Sequence, residues 1–264
     1  SLKFQRKATN TDVTALNLCQ VVETADSIRC QGQLVTFSFY AKKGANYSGG
    51  NLTVKVESGQ GTDQSANNLL AGSWTSQADV INTTLALTTT MTRYSFTALV
   101  PAATTQLGVI FSWTPTGTAG ADDSITLNGM QLEIGGSVSA FEHRDVQVEL
   151  EICQRYFWQI NEPAASVVLG IGQCSTTTVA TIQVNLPVQM RAAPTVTVTK
   201  GTIGVTVAAG TNQALTTLAA NAAGHTVNAI GLTATASAAN LVAGNATQLI
   251  GNGGSGLIAA SADY

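Results

Sequence analysis

Apolar and polar positions alternate with a period of two through most of the chain, the pattern of half-buried β-strands. In 14–22 (TALNLCQVV) Leu16 and Leu18 share a face that Gln20 and Val22 continue. In 33–42 (QLVTFSFYAK) Val35, Phe37, Phe39 and Ala41 do the same, and Lys42-Lys43-Gly44 ends the run. In 51–57, after the turn Tyr47–Gly50, the apolar positions are Leu52, Val54 and Val56. Further strands are expected over 79–87, 92–100, 106–114 and 124–134, with Pro101 stopping one and 115–123 forming a loop. The phase of the last strand slips at Asn128-Gly129, as a β-bulge requires. The polar stretch 58–68 is too long for a tight hairpin and is expected on the surface. No βαβ alternation competes, so 1–144 is expected to fold as an antiparallel, jelly-roll-like β-sandwich.

A smaller C-terminal β domain is expected over 161–264, with strands at 166–173, 176–186, 194–199 and 257–262. Short Thr/Val/Ala strands between Gly and Asn turns fill 201–251. The intervening hinge, 145–160, carries two competing periods. Val146, Val148, Leu150 and Ile152 alternate like a strand. Val146, Leu150, Cys153 and Phe157 also line one helical face, and Val148, Ile152 and Tyr156 another. Glu151 and Arg155 have i,i+4 spacing, and Glu, Gln, Leu and Arg favour helix, so a short helix is expected here. Apolar on two sides, such a helix needs two partners, which makes Val148, Ile152 and Tyr156 candidates for contact between subunits.

Composition narrows the picture. The 264 residues suffice for one large domain or two ordinary ones. Charged residues are 10% of the chain, against about 25% in an ordinary soluble protein. Thr, Ser, Asn and Gln must then supply the polar exterior, which favours strands and surfaces covered by neighbouring subunits. A net charge of −3 with no basic run leaves no electrostatic footprint for nucleic acid. No apolar stretch reaches the roughly 18 residues of a membrane span, so no membrane insertion is expected. The chain begins at Ser1 without a signal-peptide pattern and reads as a fragment or processed product. Its four cysteines, at 19, 30, 153 and 174, include no CxxC, and with only two histidines they argue against a zinc site. Cys19 and Cys30 flank a prospective hairpin, yet four buried thiols are the expectation, because a core of this size needs no staple.

Several runs carry a family resemblance. QLVTFSFYAK, TRYSFTALVP, LGVIFSW and ITLNGMQLEIGGSVSAFEHR resemble the jelly-roll, carbohydrate-binding-module-like domain of bacteriophage tail fibres and other virion proteins. The likeness is carried by Gln131-Leu132-Glu133, Gly135 and Phe141-Glu142-His143-Arg144. Glu149-Leu150 followed by Cys153-Gln154-Arg155-Tyr156-Phe157 is similar to the continuation of phage fibre sequences. Leu186-Pro187, Met190-Arg191 and Pro194-Thr195 look like a strand of their C-terminal tip domains. The match covers most of 10–200, and 200–264 resembles no family. It implies a distal tail-fibre module in a virion, assembled in the bacterial cytoplasm as a homotrimer beside other virion proteins. Its partner would be a bacterial surface receptor, a glycan or a protein. Two other classes stay open: a purely structural virion protein, such as a head fibre or capsid decoration, and a polysaccharide depolymerase.

The resemblance also frames the candidate chemistry. Jelly-roll carbohydrate modules often hold a structural calcium, for which Asp122 and Asp123 are candidates. Trp74, Tyr47, Trp113 and Tyr40 could present a flat apolar face to a sugar ring, Trp74 and Tyr47 foremost as loop residues. Phe37, Phe39, Tyr94, Phe96 and Phe111 belong to alternating strands and are expected in the core. Glu142, His143 and Asp145 look like acid–base equipment, but no nucleophile elbow accompanies them, and His143 and Arg144 are expected to make structural hydrogen bonds where the two domains join. His225, in a turn beside a strand, is expected to be an ordinary exposed histidine. No catalytic residue and no cofactor other than calcium is expected.

Overall fold

The computed structural model describes residues 1–163, 166–207 and 210–262. Residues 164–165, 208–209 and 263–264 of the expected tip domain lie outside that set. The chain is mostly β and divides into two compact units, Ser1–His143 and the part from Arg144 onward.

The first unit holds eight strands: β1 (Leu2–Gln5), β2 (Leu16–Val22), β3 (Leu34–Lys43), β4 (Leu52–Gly59), β5 (Ala78–Leu85), β6 (Thr92–Leu99), β7 (Gln106–Trp113) and β8 (Ser124–Ile134). They form two antiparallel sheets, ordered β1-β8-β3-β6 and β2-β7-β4-β5. Eight strands that cross between two four-stranded sheets in this order make a jelly roll. The alternation foreseen from sequence fills the space between the sheets. Phe37, Phe39, Val54, Phe111, Ile125 and Leu127 are each 2% exposed or less. The rings of Phe39 and Phe111 meet edge to face at 4.9 Å, a favourable geometry for aromatic pairs. The register of β3 against β8 shifts between Ser38 and Tyr40, opposite Asn128–Gln131, and Gly129 there has a φ of 53°, which glycine tolerates best.

Three local features depart from the sequence expectation. β1 is too short to show a period, and its pairing with β8 is non-local. Between Cys19 and Cys30 the chain makes a helical turn α1 (Thr24–Ser27) and a 3-10 turn (Ile28–Cys30), with no hairpin. The polar connection after β4 contains α2 (Ala66–Leu70), whose N-cap Ser65 side chain accepts from the Asn68 N–H at 3.2 Å. No disulfide forms, but the four thiols are not uniformly buried: Cys30 and Cys174 are, Cys19 is half-buried and Cys153 is exposed.

The second unit begins with the expected helix, α3 (Val146–Gln154), capped by the Asp145 carboxylate, which accepts from the Gln147 N–H at 2.8 Å. The hinge does not extend to residue 160, because β9 (Phe157–Asn161) follows at once and pairs with a late strand. Then come β10 (Val167–Cys174), β11 (Val179–Asn185), β12 (Thr195–Thr199), β13 (Gly204–Thr206), β14 (Asn212–Ala220), β15 (Ala229–Ala236), β16 (Ala246–Gly251) and β17 (Leu257–Ser261). Six of these close into a barrel, β10-β11-β15-β14-β13-β16, while β12-β17-β9 form a separate sheet.

A barrel of so few strands has a narrow interior, which explains the Ala- and Gly-rich composition. Ala180 and Ala234 are fully buried beside Ile182, Ile230, Leu232 and Leu249. A Cβ on Gly172 would come within 1.9 Å of the Thr181 carbonyl oxygen, and one on Gly170 within 2.7 Å of that of Gln183. Only glycine lets β10 run this close to β11.

Candidate functional site

The four aromatics proposed for sugar stacking have different fates. Trp113 is 2% exposed, and its ring packs in the core, 4.8 Å from that of Tyr47. Trp74 is 3% exposed and clamps the 59–77 segment onto the outer face of the β2-β7-β4-β5 sheet. Its Nε1 donates to the Ser65 carbonyl at 2.9 Å. Gly108 makes room beneath: a Cβ there would lie 2.5 Å from Leu69 Cδ2 and 2.9 Å from the Trp74 ring. Neither tryptophan presents a face to solvent, and both are withdrawn as glycan contacts. Tyr47 is half-buried; burial and the Asp123 charge push its phenol up to about 12. Tyr40 is half-buried and carries the Arg93 guanidinium over its ring at 5.7 Å. These side chains form no shared platform.

The calcium expectation also fails, for a reason of charge. Asp123 is completely buried, and its Oδ2 accepts from Arg6 Nη1 and from Ser48 Oγ, each at 2.8 Å. Its Oδ1 accepts from the Ser48 N–H at 2.8 Å. The other Arg6 nitrogen, Nη2, donates to the carbonyls of Asn10, Asp12 and Gly117 at 2.9, 2.6 and 3.2 Å. A guanidinium thus sits where these oxygens converge. Asp122 accepts from Lys3 at 2.8 Å, and Lys3, the Ser124 hydroxyl and the Ala45 N–H hold its carboxyl well below the usual range. Both carboxylates already have cations, so the residues present do not fit a metal ion. Among the described residues no group of three or more metal-ligating side chains occurs elsewhere.

Of the residues resembling acid–base equipment, two have structural partners. The ring of His143 meets Phe141 edge-on at 5.0 Å, and Asp145 caps α3. His225 is half-buried, and its Nε2 lies 3.2 Å from the Gly231 carbonyl oxygen.

Besides an apolar cleft of about 350 Å3 lined by Leu18, Phe37, Phe111 and Leu132, two concavities escaped the sequence reading. One, about 340 Å3, lies on the outer face of the β2-β7-β4-β5 sheet beside α2. There Lys55 bridges Glu57 and Asp79 at 3.0 Å each, Gln77 also donates to Glu57, and the charges satisfy one another. The other, about 820 Å3, is an open groove on the barrel. Its exposed lining side chains are Ile171, Gln173, Thr181, Gln183, Asn185, Ala246 and Gln248, and none of its described lining residues is charged. Strand register assembles it: Gln183 of β11 and Gln248 of β16 stand opposite Ile171 of β10. In the next exposed row Thr181 and Ala246 flank Gln173. Beyond Gln183 in the first row is Gly231, where the 3-10 turn Ala222–Gly224 crosses so closely that a Cβ would lie 2.8 Å from Gly224 Cα. From sequence these amides look like the solvent side of ordinary strands.

Jelly roll and barrel define the class: a two-unit β protein with an uncharged groove on its second unit. No protein-family model matches the chain, and no curated protein sequence does. One solved structure that it resembles is described as "CBM4 structure and function", at 16% identity and a TM-score of 0.32, covering 50% of this chain and 70% of that one.

Proposed function

We propose that the chain is a non-catalytic recognition module of a phage virion fibre, carried as a homotrimer, that meets a bacterial surface receptor through its second unit. The observation that carries the reading is the barrel groove, an open concavity of about 820 Å3 whose exposed lining can donate and accept hydrogen bonds without formal charge. Two further features support it. Several separate residue runs between Gln33 and Thr195 resemble, as a set, those of fibre sequences. Helix α3 buries none of its residues and exposes Val146 (82%), Val148 (46%), Leu150 (46%) and Ile152 (38%), an apolar surface suited to further copies of the chain.

The test is adsorption of the labelled chain to a panel of bacterial strains, competed by unlabelled chain. Saturable adsorption to at least one strain, with no release of reducing ends from its polysaccharide, is expected. A folded chain that adsorbs to none overturns recognition, and release of reducing ends overturns the non-catalytic reading. Sedimentation as a 27.1 kDa monomer at micromolar concentration overturns the trimer.

A further inference from the structure

We infer that the barrel groove binds a neutral oligosaccharide, gripped by the row Gln183–Ile171–Gln248. This inference rests on the recognition reading above and names its ligand class. Ile171 is 61% exposed, an apolar side chain between glutamines in an uncharged groove. Register places one amide on each side of it, on β11 and β16. With strands about 4.8 Å apart, the two glutamine Cα atoms lie roughly 10 Å from each other. That spacing suits a sugar ring whose C–H face rests on Ile171 while its rim hydroxyls reach the amides.

The chemistry selects the class. A sugar hydroxyl both donates and accepts, and so does each carboxamide, so every amide can satisfy a hydroxyl in either sense. Gln173 and Gln183 are held by weak internal bonds, Nε2 to the Gly244 carbonyl at 3.1 Å and to Asn185 Oδ1 at 3.3 Å. Such bonds leave most amide valences for a ligand. An acidic sugar or a phosphate would lose hydration and gain no cation, since no described lining residue is charged. Beyond residue 160 the formally charged residues among those described are Glu162, Arg191 and Lys200, and none of them lines the groove. Each site would be weak alone, and the proposed trimer would gain affinity by presenting three together.

The experiment uses the full chain on immobilised oligosaccharides, neutral hexose and N-acetylhexosamine oligomers beside uronic- and sialic-acid oligomers, with strain adsorption measured in parallel. Wild type is expected to bind at least one neutral oligomer and no acidic one. Gln183→Ala and Gln248→Ala should each weaken binding about tenfold, the cost of a lost hydrogen bond in a desolvated contact. Ile171→Asp should abolish it. Thr217→Ala, on β14 across the barrel from β10, should bind as wild type, and melting curves check that every variant is folded. Binding to acidic oligomers alone, or to none while cells still adsorb the chain, overturns the ligand class and leaves recognition standing. Unchanged binding by folded Gln183→Ala and Gln248→Ala overturns the placement in the groove. Adsorption to no strain overturns the recognition reading, and this inference with it.

Discussion

Asp123 and Glu162 are buried carboxylates that tie loops together in the first and second units, and they are stabilised by different means. Asp123 meets a guanidinium: Arg6 neutralises it and also binds three backbone carbonyls, joining segments near residues 6–12, 48, 117 and 123. Glu162 receives its hydrogen bonds from neutral donors. Its Oε1 accepts from Thr202 Oγ1 at 2.6 Å and the Asn252 N–H at 2.8 Å. Its Oε2 accepts from the N–H groups of Thr202 at 3.1 Å and Gly256 at 2.8 Å. A chain segment poor in cations anchors an anion with backbone dipoles instead. The barrel groove is thereby left without a charged residue among its described lining, whereas the jelly roll buries an ion pair as an internal link.

Removing the guanidinium should have the largest effect. Arg6→Ala leaves the Asp123 carboxyl without its cation in the interior and strands the carbonyls of Asn10, Asp12 and Gly117. Breaking a buried pair from one side costs about 3–5 kcal/mol. Denaturation should show the loss in the jelly-roll unit, with the barrel's transition unmoved. A loss below about 1 kcal/mol, the range of an exposed pair, would mean that water reaches the cage and that the contrast with Glu162 is illusory.

Glu162→Gln should cost about 1.5–3 kcal/mol, the worth of hydrogen bonds to a charged group, and it should act on the barrel unit alone. It also carries a pH signature. Burial opposes ionisation of Glu162, but the Thr202 hydroxyl and the N–H groups of Asn252, Gly256 and Thr202 outweigh it and hold the carboxyl at about 2, against 4.5 ordinarily. Between those values the unfolded chain binds more protons than the folded one, so stability falls as pH falls. The barrel's stabilisation from Glu162 should be complete above pH 4.5 and decline toward pH 2. In Glu162→Gln that part of the decline should vanish. A variant that keeps the full wild-type acid sensitivity would show that another carboxyl governs it.

What was legible in the sequence and what was not divides along the same physical line. Strand positions were legible because a period of two is local: Val35 to Ala41 and Leu52 to Val56 point inward as their alternation requires. Partners were not. Arg6 and Asp123 are 117 positions apart, so the aspartates read as a metal site with no sign that a cation was built in. Trp74 read as a loop aromatic because the cavity that receives it exists only where Gly108 passes beneath α2. Barrel closure is a matter of register between distant strands, and the groove amides acquire meaning only once β11, β10 and β16 lie side by side. The helix was legible in its period, but two apolar sides implied that one of them packs on its own chain, and α3 has no buried residue.

The smallest effect on folding, and the largest on assembly, should come from that helix. Val148 and Ile152 are one helical turn apart and share a face. The helix is tied down at its end, where the Arg155 carbonyl accepts from the Arg191 N–H at 2.9 Å and the Tyr156 carbonyl from the Ala262 N–H at 2.8 Å. These bonds involve backbone atoms, so they survive a change of side chain. Val148→Glu with Ile152→Glu should therefore shift the unfolding free energy by less than about 0.5 kcal/mol, as surface substitutions do. Placed in a contact among three copies, the same carboxylates would be desolvated beside one another, which no assembly of modest affinity withstands. Sedimentation should then move from the proposed trimer to the 27.1 kDa monomer while the melting curve of the monomer stays in place. Loss of several kcal/mol with no change in mass would mean that the face packs on its own chain, and that the exposed apolar residues of α3 serve the fold and not the assembly.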